Sequence, residues 1–182
     1  MSQYRRAKLP GGTFFFTVVT FRRQPFLCDE DVRTALRKAI GSVRDRHPFT
    51  IDGWVLLPDH LHTLWTLPAG DSNFSLRWNL IKRMVTRECA HRLEQSELMS
   101  SSKHKHREST LWQRRFWEHQ IRNDRDYQTH MDYLHFNPVK HGYVKRVVDW
   151  PYSSFHRHVK QGVYSDDWGS DSGDDALVGE PI

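Results

Sequence analysis

The sequence WVLLPDHLHTLWTLP, residues 54–68, decides how the rest of the chain is arranged. Its two ends are apolar, which is typical of two buried strands joined through Pro58 and Asp59. Residues i and i+2 of a strand face the same side, about 6.5 Å apart, so His60 and His62 can point at one spot. Two imidazoles aimed together can hold a divalent cation, but two histidines at a strand mouth are also common without a metal.

The elements predicted around this stretch follow the order β-α-β-β-α-β and then a third helix. Strands are predicted at residues 13–21, 49–57, 61–67 and 111–121, and helices from Asp29 to about residue 46, from Asn73 or Ser75 onward, and from Asp124 to about Phe136, before Asn137 and Pro138. The order predicts an α+β, ferredoxin-like or RRM-like fold, an antiparallel sheet with helices on one face, plus a C-terminal helical extension. The open face of such a sheet is a common platform for single-stranded nucleic acid.

The charge distribution indicates a polyanionic partner. The formal charge of the 182-residue chain is +5, but six of its 22 acidic residues and none of its 27 basic residues lie in residues 165–182. Residues 1–164 therefore carry +11, for which nucleic acid is the leading partner, although a soluble basic enzyme remains an alternative. We expect residues 1–164 to form a single domain and residues 165–182 to form an acidic, disordered tail.

Cysteine usage and hydropathy indicate a reduced, cytoplasmic protein with no membrane partner. Cys28 and Cys89 are isolated in the sequence, and no apolar run approaches the roughly 18 residues needed to span a bilayer. Residues 95–109, QSELMSSSKHKHRES, have the composition of a polar loop.

Tyr133 and Asn137 are four residues apart in the third predicted helix, so they lie on one face of it. Each has an ordinary structural explanation: amphipathic helices often carry a half-buried tyrosine, and an asparagine often ends a helix before proline. The position of Asn137 before Pro138 also argues against a helical conformation for that residue. Tyr127 faces a different side of the helix.

Taken together, the histidine pair, Tyr133 and a basic, aromatic-rich sheet indicate covalent DNA strand transfer. A cation held by His60 and His62 would draw charge from a scissile phosphate and orient it. A phenol of pKa near 10 is a weak nucleophile at neutral pH, and a nearby cation stabilises its phenolate. Attack exchanges one phosphoester for another, so no nucleotide cofactor is required.

The chain resembles the bacterial REP-associated tyrosine transposases, single-tyrosine members of the HUH superfamily. His60-Leu61-His62 matches the HUH motif, and the resemblance extends from about residue 4 to residue 159. The stretches that carry it are YRRAKLPGGTFFFTV, WVLLPDHLHTLWTLP, LWQRRFWEHQIRND, YQTHMDYLHFNPVKHGYV and DWPYSSFHRHV.

The resemblance implies a metal-dependent endonuclease and strand transferase that acts on single-stranded DNA at hairpins of repeated extragenic palindromes (REP). It assigns the nucleophile to Tyr133, just before NPVKHG, and the metal ligands to His60, His62 and Asn137. Cleavage in this family leaves a 5′-phosphotyrosine and a free 3′-OH. Two imidazoles suit zinc, whereas an amide and a phosphate suit Mg²⁺ or Mn²⁺, and the resemblance favours Mg²⁺ or Mn²⁺ and a monomer.

The same resemblance assigns DNA contacts. A short tetranucleotide beside the hairpin is expected to meet the N-terminal segment, and the phosphate backbone to meet basic side chains elsewhere. The first group is Arg5, Arg6, Gly11, Gly12 and Thr13; the second is Lys82, Arg83, Arg114, Arg115, Lys140 and Arg157. The main alternative is a non-catalytic nucleic-acid-binding module of RRM-like fold. A zinc hydrolase is less favoured because no third histidine or acidic ligand stands at a recognisable spacing.

Overall fold

A four-stranded antiparallel sheet forms the centre of the protein, in a computed structural model that describes residues 9–105 and 109–170. Its strands are β1 (Thr13–Val19), β2 (Thr50–Leu56), β3 (His60–Thr66) and β4 (Trp117–Gln120). They lie in the order β2-β3-β1-β4, and every neighbouring pair is antiparallel. This is the arrangement expected of a ferredoxin-like sheet, so the predicted α+β class is confirmed.

Helices α1 (Glu30–Arg46) and α2 (Phe74–Leu93) pack together on one face of the sheet. Alternation along β1 turns Phe14, Phe16 and Val18 toward this face. The indole rings of Trp65 and Trp78 stack here with centroids 4.2 Å apart. As predicted, Asn73 caps α2, because its side chain accepts a hydrogen bond from the Leu76 N–H.

Helix α4 (Asp124–Lys140) covers the other face of the sheet, after a short helix α3 (Ser101–Lys105) in the connection from α2. Its approach is close: a Cβ on Gly53 of β2 would lie 2.6 Å from Met131 Sδ, so a larger residue there would require the Met131 side chain to shift. The final helix, α5 (Phe155–Lys160), packs beside α4. The C-terminal helical extension therefore occupies the sheet face that the sequence pattern leaves open.

Two predicted segments differ from the observed ones. The fourth strand is shorter than residues 111–121, because Leu111 and Trp112 turn into the α1/α2 core and only an isolated bridge joins Trp112 to Thr20. The predicted loop at residues 95–109 contains a 3-10 turn (Ser96–Leu98) and α3, with residues 106–108 outside the described part. Lys103 anchors this segment, since its ammonium lies 4.0 Å from the Phe21 ring centroid.

The boundaries of α4 correct the sequence prediction at both ends. Asn123, rather than Asp124, caps the helix by accepting a hydrogen bond from the Asp126 N–H. The helix continues through Pro138 to Lys140, so Asn137 is helical after all. Proline is tolerated because it lies in the last turn, where it removes a single intrahelical hydrogen bond.

The described chain continues as structure beyond the predicted domain boundary at residue 164. Trp168 packs against Tyr164, with ring centroids 4.8 Å apart, and against Phe155. Residues 171–182, the rest of the predicted tail, lie outside the described residues. Among residues 9–105 and 109–170, no helix is both long and apolar enough to cross a membrane.

Candidate active site

Strand β3 brings His60 and His62 to one spot under α4, as the i, i+2 spacing predicts. Their ring centroids lie 4.9 Å apart, and their side chains are 4% and 3% exposed. In the sheet, His62 lies opposite Thr17 and His60 opposite Val19 of β1. Both imidazoles therefore sit on a central strand, where neighbouring strands limit their movement.

One nitrogen of each imidazole is held by a hydrogen-bond partner. His60 Nδ1 lies 2.6 Å from Asp59 Oδ1, and the Asp59 carboxylate also accepts a 3.0 Å hydrogen bond from Arg23. His62 Nδ1 lies 2.9 Å from Thr17 Oγ1. The remaining Nε2 of His62 is buried and has no hydrogen-bond partner within residues 9–105 and 109–170. Histidines that bind metals are commonly oriented in this way through their second nitrogen.

Burial and charge keep His62 neutral. Burial is the main reason that its pKa lies well below the usual value, and the nearby His60, His141 and Lys140 lower it further. The Asn137 amide acts in the opposite direction, although its contact with His62 does not meet the distance and angle of a hydrogen bond. A neutral imidazole has a lone pair free for a cation.

Asp59 keeps its negative charge beside this pair. Burial alone would raise the pKa of its carboxyl group, but hydrogen bonds and charge from His60 and Arg23 outweigh burial and lower it to about 2. Because the carboxylate accepts from His60 Nδ1, it fixes which nitrogen of that ring carries the proton.

Helix α4 places Tyr133 and Asn137 against the histidines. The Tyr133 ring centroid lies 5.2 Å from that of His62, and Tyr133 is only 4% exposed. Asn137 is fully buried, and among the described residues neither its Oδ1 nor its Nδ2 has a hydrogen-bond partner. A buried amide left in this way costs about 1–3 kcal/mol, a cost that a bound ligand could offset.

These orphaned atoms fit a cation. His62 Nε2 offers a nitrogen lone pair and Asn137 Oδ1 an oxygen lone pair, and the ring of His60 lies beside them. Two imidazoles and an amide oxygen form an open ligand set that leaves positions for phosphate oxygens.

His141, at the end of α4, is a site residue that the sequence prediction missed. Its ring centroid lies 5.2 Å from that of His60. The sequence contained a signal, because Tyr133, Asn137 and His141 recur every four residues along one helix face. Lys140, predicted to bind DNA, lies at the same site, with its ammonium 5.0 Å from the Tyr133 ring centroid.

The residues predicted to read a tetranucleotide lie at the far end of β1 or outside the described part. Thr13 pairs with Thr66, four residues and about 13 Å along the strand from Thr17. Gly11 has a φ of 72°, and its N–H donates to the Asp71 carbonyl, which turns the chain into β1. Gly12 follows it, whereas Arg5 and Arg6 fall among residues 1–8, which the structure does not describe.

The remaining basic residues predicted to bind DNA are scattered and do not converge on Tyr133. Arg83 and Arg115 are exposed. Three others already make hydrogen bonds within the protein: Lys82 with the Gln113 carbonyl, Arg114 with the Ser102 hydroxyl, and Arg157 with the carbonyls of Ile51 and Asp52. Their contacts with DNA remain predictions.

A second group of ionisable side chains lies on the same sheet face, between β4 and the start of α4. His119, Asp126 and His130 each offer one ligand atom, and these atoms all lie within 4.8 Å of one another, which makes the group a candidate metal site. Asp126 and His130 are four residues apart on a helix, a spacing that brings two ligands together. His119 belongs to a strand, so sequence spacing gave no reason to add it.

Comparisons with known proteins agree with the fold. No protein-family model matches the chain. The REP-associated tyrosine transposase of Escherichia coli K12 is 46% identical over 171 residues, 94% of this chain and 93% of that protein. A Haemophilus influenzae protein assigned provisionally to the same family is 45% identical over 170 residues, 93% of this chain and 94% of that protein. A solved structure of the REP-associated tyrosine transposase bound to a REP hairpin has a TM-score of 0.80 and 45% identity, and covers 100% of this chain and 99% of its own. This chain therefore belongs to the REP-associated tyrosine transposases.

Proposed function

We propose that this protein is a metal-dependent endonuclease and strand transferase that cleaves single-stranded DNA at REP hairpins through a Tyr133 adduct. The observation that carries the proposal is the position of the Tyr133 ring, 5.2 Å from His62, beside a buried Asn137 amide without hydrogen-bond partners. A phenol next to an incomplete ligand set has the composition of a phosphoryl-transfer site. The solved relative that binds a REP hairpin supports the same substrate here.

His60, His62 and Asn137 would hold the metal ion. The second nitrogen of each imidazole is already oriented, by Asp59 and Thr17 respectively, which supports both rings as ligands. The amide oxygen of Asn137 and the phosphate oxygens of DNA are hard donors, so we infer Mg²⁺ or Mn²⁺. When bound, such an ion withdraws charge from the scissile phosphate and stabilises a phenolate.

Tyr133 would carry the covalent step. Its phenol loses a proton, and the phenolate oxygen forms a bond to phosphorus while the bond from phosphorus to the 3′-oxygen breaks. The departing 3′-oxygen gains a proton and becomes a free 3′-OH, and the 5′-phosphate remains on Tyr133. Attack by a 3′-OH on this phosphotyrosine reverses the step and joins strands, so no external energy source is needed.

The surroundings of Tyr133 suit a DNA strand. Lys140 lies over its ring, which adds positive charge where the phosphate would sit, and His141 lies beside His60 at the same site. We further propose that Arg5, Arg6, Gly11, Gly12 and Thr13 contact the tetranucleotide. The other predicted basic residues would contact the phosphate backbone. These contacts would hold the strand, while the chemistry would belong to the face under α4.

The non-catalytic alternative has less support. An RRM-like module binds single strands on its open sheet face, but here α4 buries that face together with Phe15 and Leu64. A role limited to binding would also leave the unpartnered Asn137 amide and His62 Nε2 without a purpose.

The test is a cleavage assay on a labelled single-stranded REP hairpin with Mn²⁺, resolved on a denaturing gel. We expect a covalent protein–DNA band that disappears with chelator, and a fall of at least about 10³-fold in cleavage for Tyr133→Phe. Tyr127→Phe is the matched control, because Tyr127 is on the same helix and outside the histidine site. Cleavage by Tyr133→Phe at the wild-type rate would reject this nucleophile, and hairpin binding without any product would favour the binding module.

A further inference from the structure

We propose that His119, Asp126 and His130 form a second metal site, distinct from the His60–His62 pair, which takes a transition-metal ion such as Zn²⁺ and ties β4 to α4. The three residues come from the sheet edge and from the first two turns of α4. Nothing in the proposed strand-transfer chemistry uses them, so the site goes beyond that function.

The distances between ligand atoms suit one ion. His119 Nε2 lies 2.9 Å and 3.1 Å from the two Asp126 carboxylate oxygens, and His130 Nδ1 lies 3.0 Å from Asp126 Oδ1. In a tetrahedral zinc site with bonds of about 2.0–2.1 Å, ligand atoms are roughly 3.3 Å apart. Both distances to Asp126 are within tenths of an ångström of that value, whereas the ligand atoms of His119 and His130, which lie within 4.8 Å of each other, would have to draw closer as an ion binds.

The side chains are also held in place before any ion binds. The two imidazoles lie nearly parallel, 13° apart with centroids separated by 4.4 Å, and Asp126 accepts a 2.9 Å hydrogen bond from the Arg122 N–H. His130 is 96% buried, since only 4% of it is exposed. The two rings must turn out of parallel to aim their in-plane lone pairs at one ion, but side chains that already contact one another lose less conformational entropy on binding than free ones.

His130 shows how an ion would change the hydrogen bonding. Its Nδ1 lies 2.8 Å from the Asp126 carbonyl oxygen, a contact in which Nδ1–H donates, and its buried Nε2 has no partner. Binding of an ion at Nδ1 would transfer the ring proton to Nε2 without a change in net charge. The ion would then replace that hydrogen bond and also neutralise the Asp126 carboxylate.

The donor set selects the kind of metal. Two imidazoles and one carboxylate are the ligands of many zinc sites that keep one position for water, whereas Mg²⁺ prefers oxygen ligands alone. Zn²⁺ or Co²⁺ should therefore bind here more tightly than Mg²⁺. This preference separates the site from the Asn137 site, for which we infer Mg²⁺ or Mn²⁺.

The site would stiffen the helix that carries Tyr133. His130 lies three residues before Tyr133, and both rings contact Phe15, with centroids 5.0 Å and 5.9 Å from it. A bond from His119 of β4 to this turn would fix the start of α4 relative to the sheet. Because the ion would bind the folded state and not the unfolded chain, it would also raise the thermal stability of the protein.

The test measures Co²⁺ and Zn²⁺ binding to tag-free protein in which His60→Ala and His62→Ala remove the first pair. We expect one equivalent of Co²⁺ with the visible absorption of a four-coordinate site, and a rise of about 5 °C or more in unfolding temperature with excess Zn²⁺. Adding His119→Gln should weaken binding at least tenfold and remove the temperature shift. His91→Gln, a change at an exposed histidine, is the matched control.

Two outcomes would overturn the proposal. One is that the protein with His60→Ala and His62→Ala binds neither Co²⁺ nor Zn²⁺ although circular dichroism shows that it is folded. The other is unchanged affinity after His119→Gln, with Asp126→Asn as a second variant of the same test. His119 is partly exposed near the sheet edge, so His119→Gln keeps the test valid even if the change at Asp126, which also bonds the Arg122 N–H, prevents folding.

Discussion

Phe15 and Phe16 are adjacent on β1 and both fully buried, yet their rings contact different types of side chain. The aromatic neighbours of Phe16 are Phe14, Trp65, Phe74, Trp78 and Phe116. Phe15, on the α4 face, packs against His62, Trp117, His130 and Tyr133. The same residue type, at equal burial, supports a hydrophobic core on one side of the sheet and a set of ionisable groups on the other.

The difference teaches how a small domain combines stability with a reactive site. The α1/α2 face can supply the burial that holds the sheet together, at about 25 cal/mol per Å² of apolar surface. The α4 face can then hold buried groups such as the Asn137 amide, whose cost of about 1–3 kcal/mol is tolerated because the other face is strongly packed. Substitutions on the two faces should therefore separate stability from activity.

Among the substitutions that compare the two faces, His62→Ala, on the α4 face, should have the largest effect on activity. We expect cleavage to fall about 10³-fold, equivalent to about 4 kcal/mol in the barrier, because a metal ligand is lost. Stability in urea should fall by less than for a buried apolar ring of similar size, since the lost packing against Phe15 is partly offset by removal of a buried nitrogen that has no partner among the described residues. The measurements are single-turnover cleavage and urea unfolding. A fall in stability large enough to unfold the protein would contradict the separation.

Trp78→Ala is the counterpart on the α1/α2 face. Trp78 is 1% exposed and stacks on Trp65, so its truncation should lower the free energy of unfolding by about 3–5 kcal/mol. Cleavage per folded molecule should stay within a few-fold of wild type. Urea unfolding gives the first quantity, and cleavage normalised to the folded fraction gives the second. A specific loss of cleavage in fully folded protein would show that the two faces are coupled.

The two phenylalanines allow a finer test with the same substitution. Phe15→Leu and Phe16→Leu should each cost about 1–2 kcal/mol of stability, because each removes part of one buried ring. Only Phe15→Leu should also slow cleavage, by about tenfold, since that ring contacts both His62 and Tyr133. Equal effects on cleavage, measured at a temperature where both variants are folded, would remove the distinction between the faces.

The sequence predicts one face of the sheet better than the other, for a physical reason. The Phe-, Val- and Thr-rich run of β1, apolar on both faces, and the apolar stripe of α2 report local burial, so the central strand, α1 and α2 followed from local patterns. The i, i+2 spacing of His60 and His62 likewise follows from strand geometry alone. Tyr133 was found through its family resemblance, because a buried tyrosine on a helix has no local signature.

What the sequence did not predict depends on contacts between distant segments. Gly53, on β2, allows Met131 of α4 to approach the sheet closely. This contact cannot be read from the sequence around either residue. The helix continues through Pro138 because that residue falls in its last turn, which local rules treat as a stop. His119 joins the Asp126–His130 pair only through strand pairing across the sheet.

Replacement of His158 should have the smallest effect. It tests whether a buried histidine on the α4 side of the sheet can be unconnected with metal binding. It lies on α5, is 9% exposed, and faces His135, Arg157, Tyr164 and the Asp52 backbone. Burial, and then the charge of Arg157, lower its pKa in the folded state. The unfolded chain therefore binds the proton more readily, so stability is full above about pH 6.5 and falls as the pH drops, by at most about 1.4 kcal/mol per unit.

Replacement of this ring should flatten the acid side of the stability profile. For His158→Gln, the loss of unfolding free energy between pH 7 and pH 5.5 should be smaller than in wild type. His91→Gln, at an exposed position, should leave the profile unchanged. Because His158 is remote from both candidate ligand sets, its removal should not alter Mn²⁺-dependent cleavage at pH 7.5. If His158→Gln lowers the cleavage rate, then the active site extends beyond α4 and includes histidines of α5.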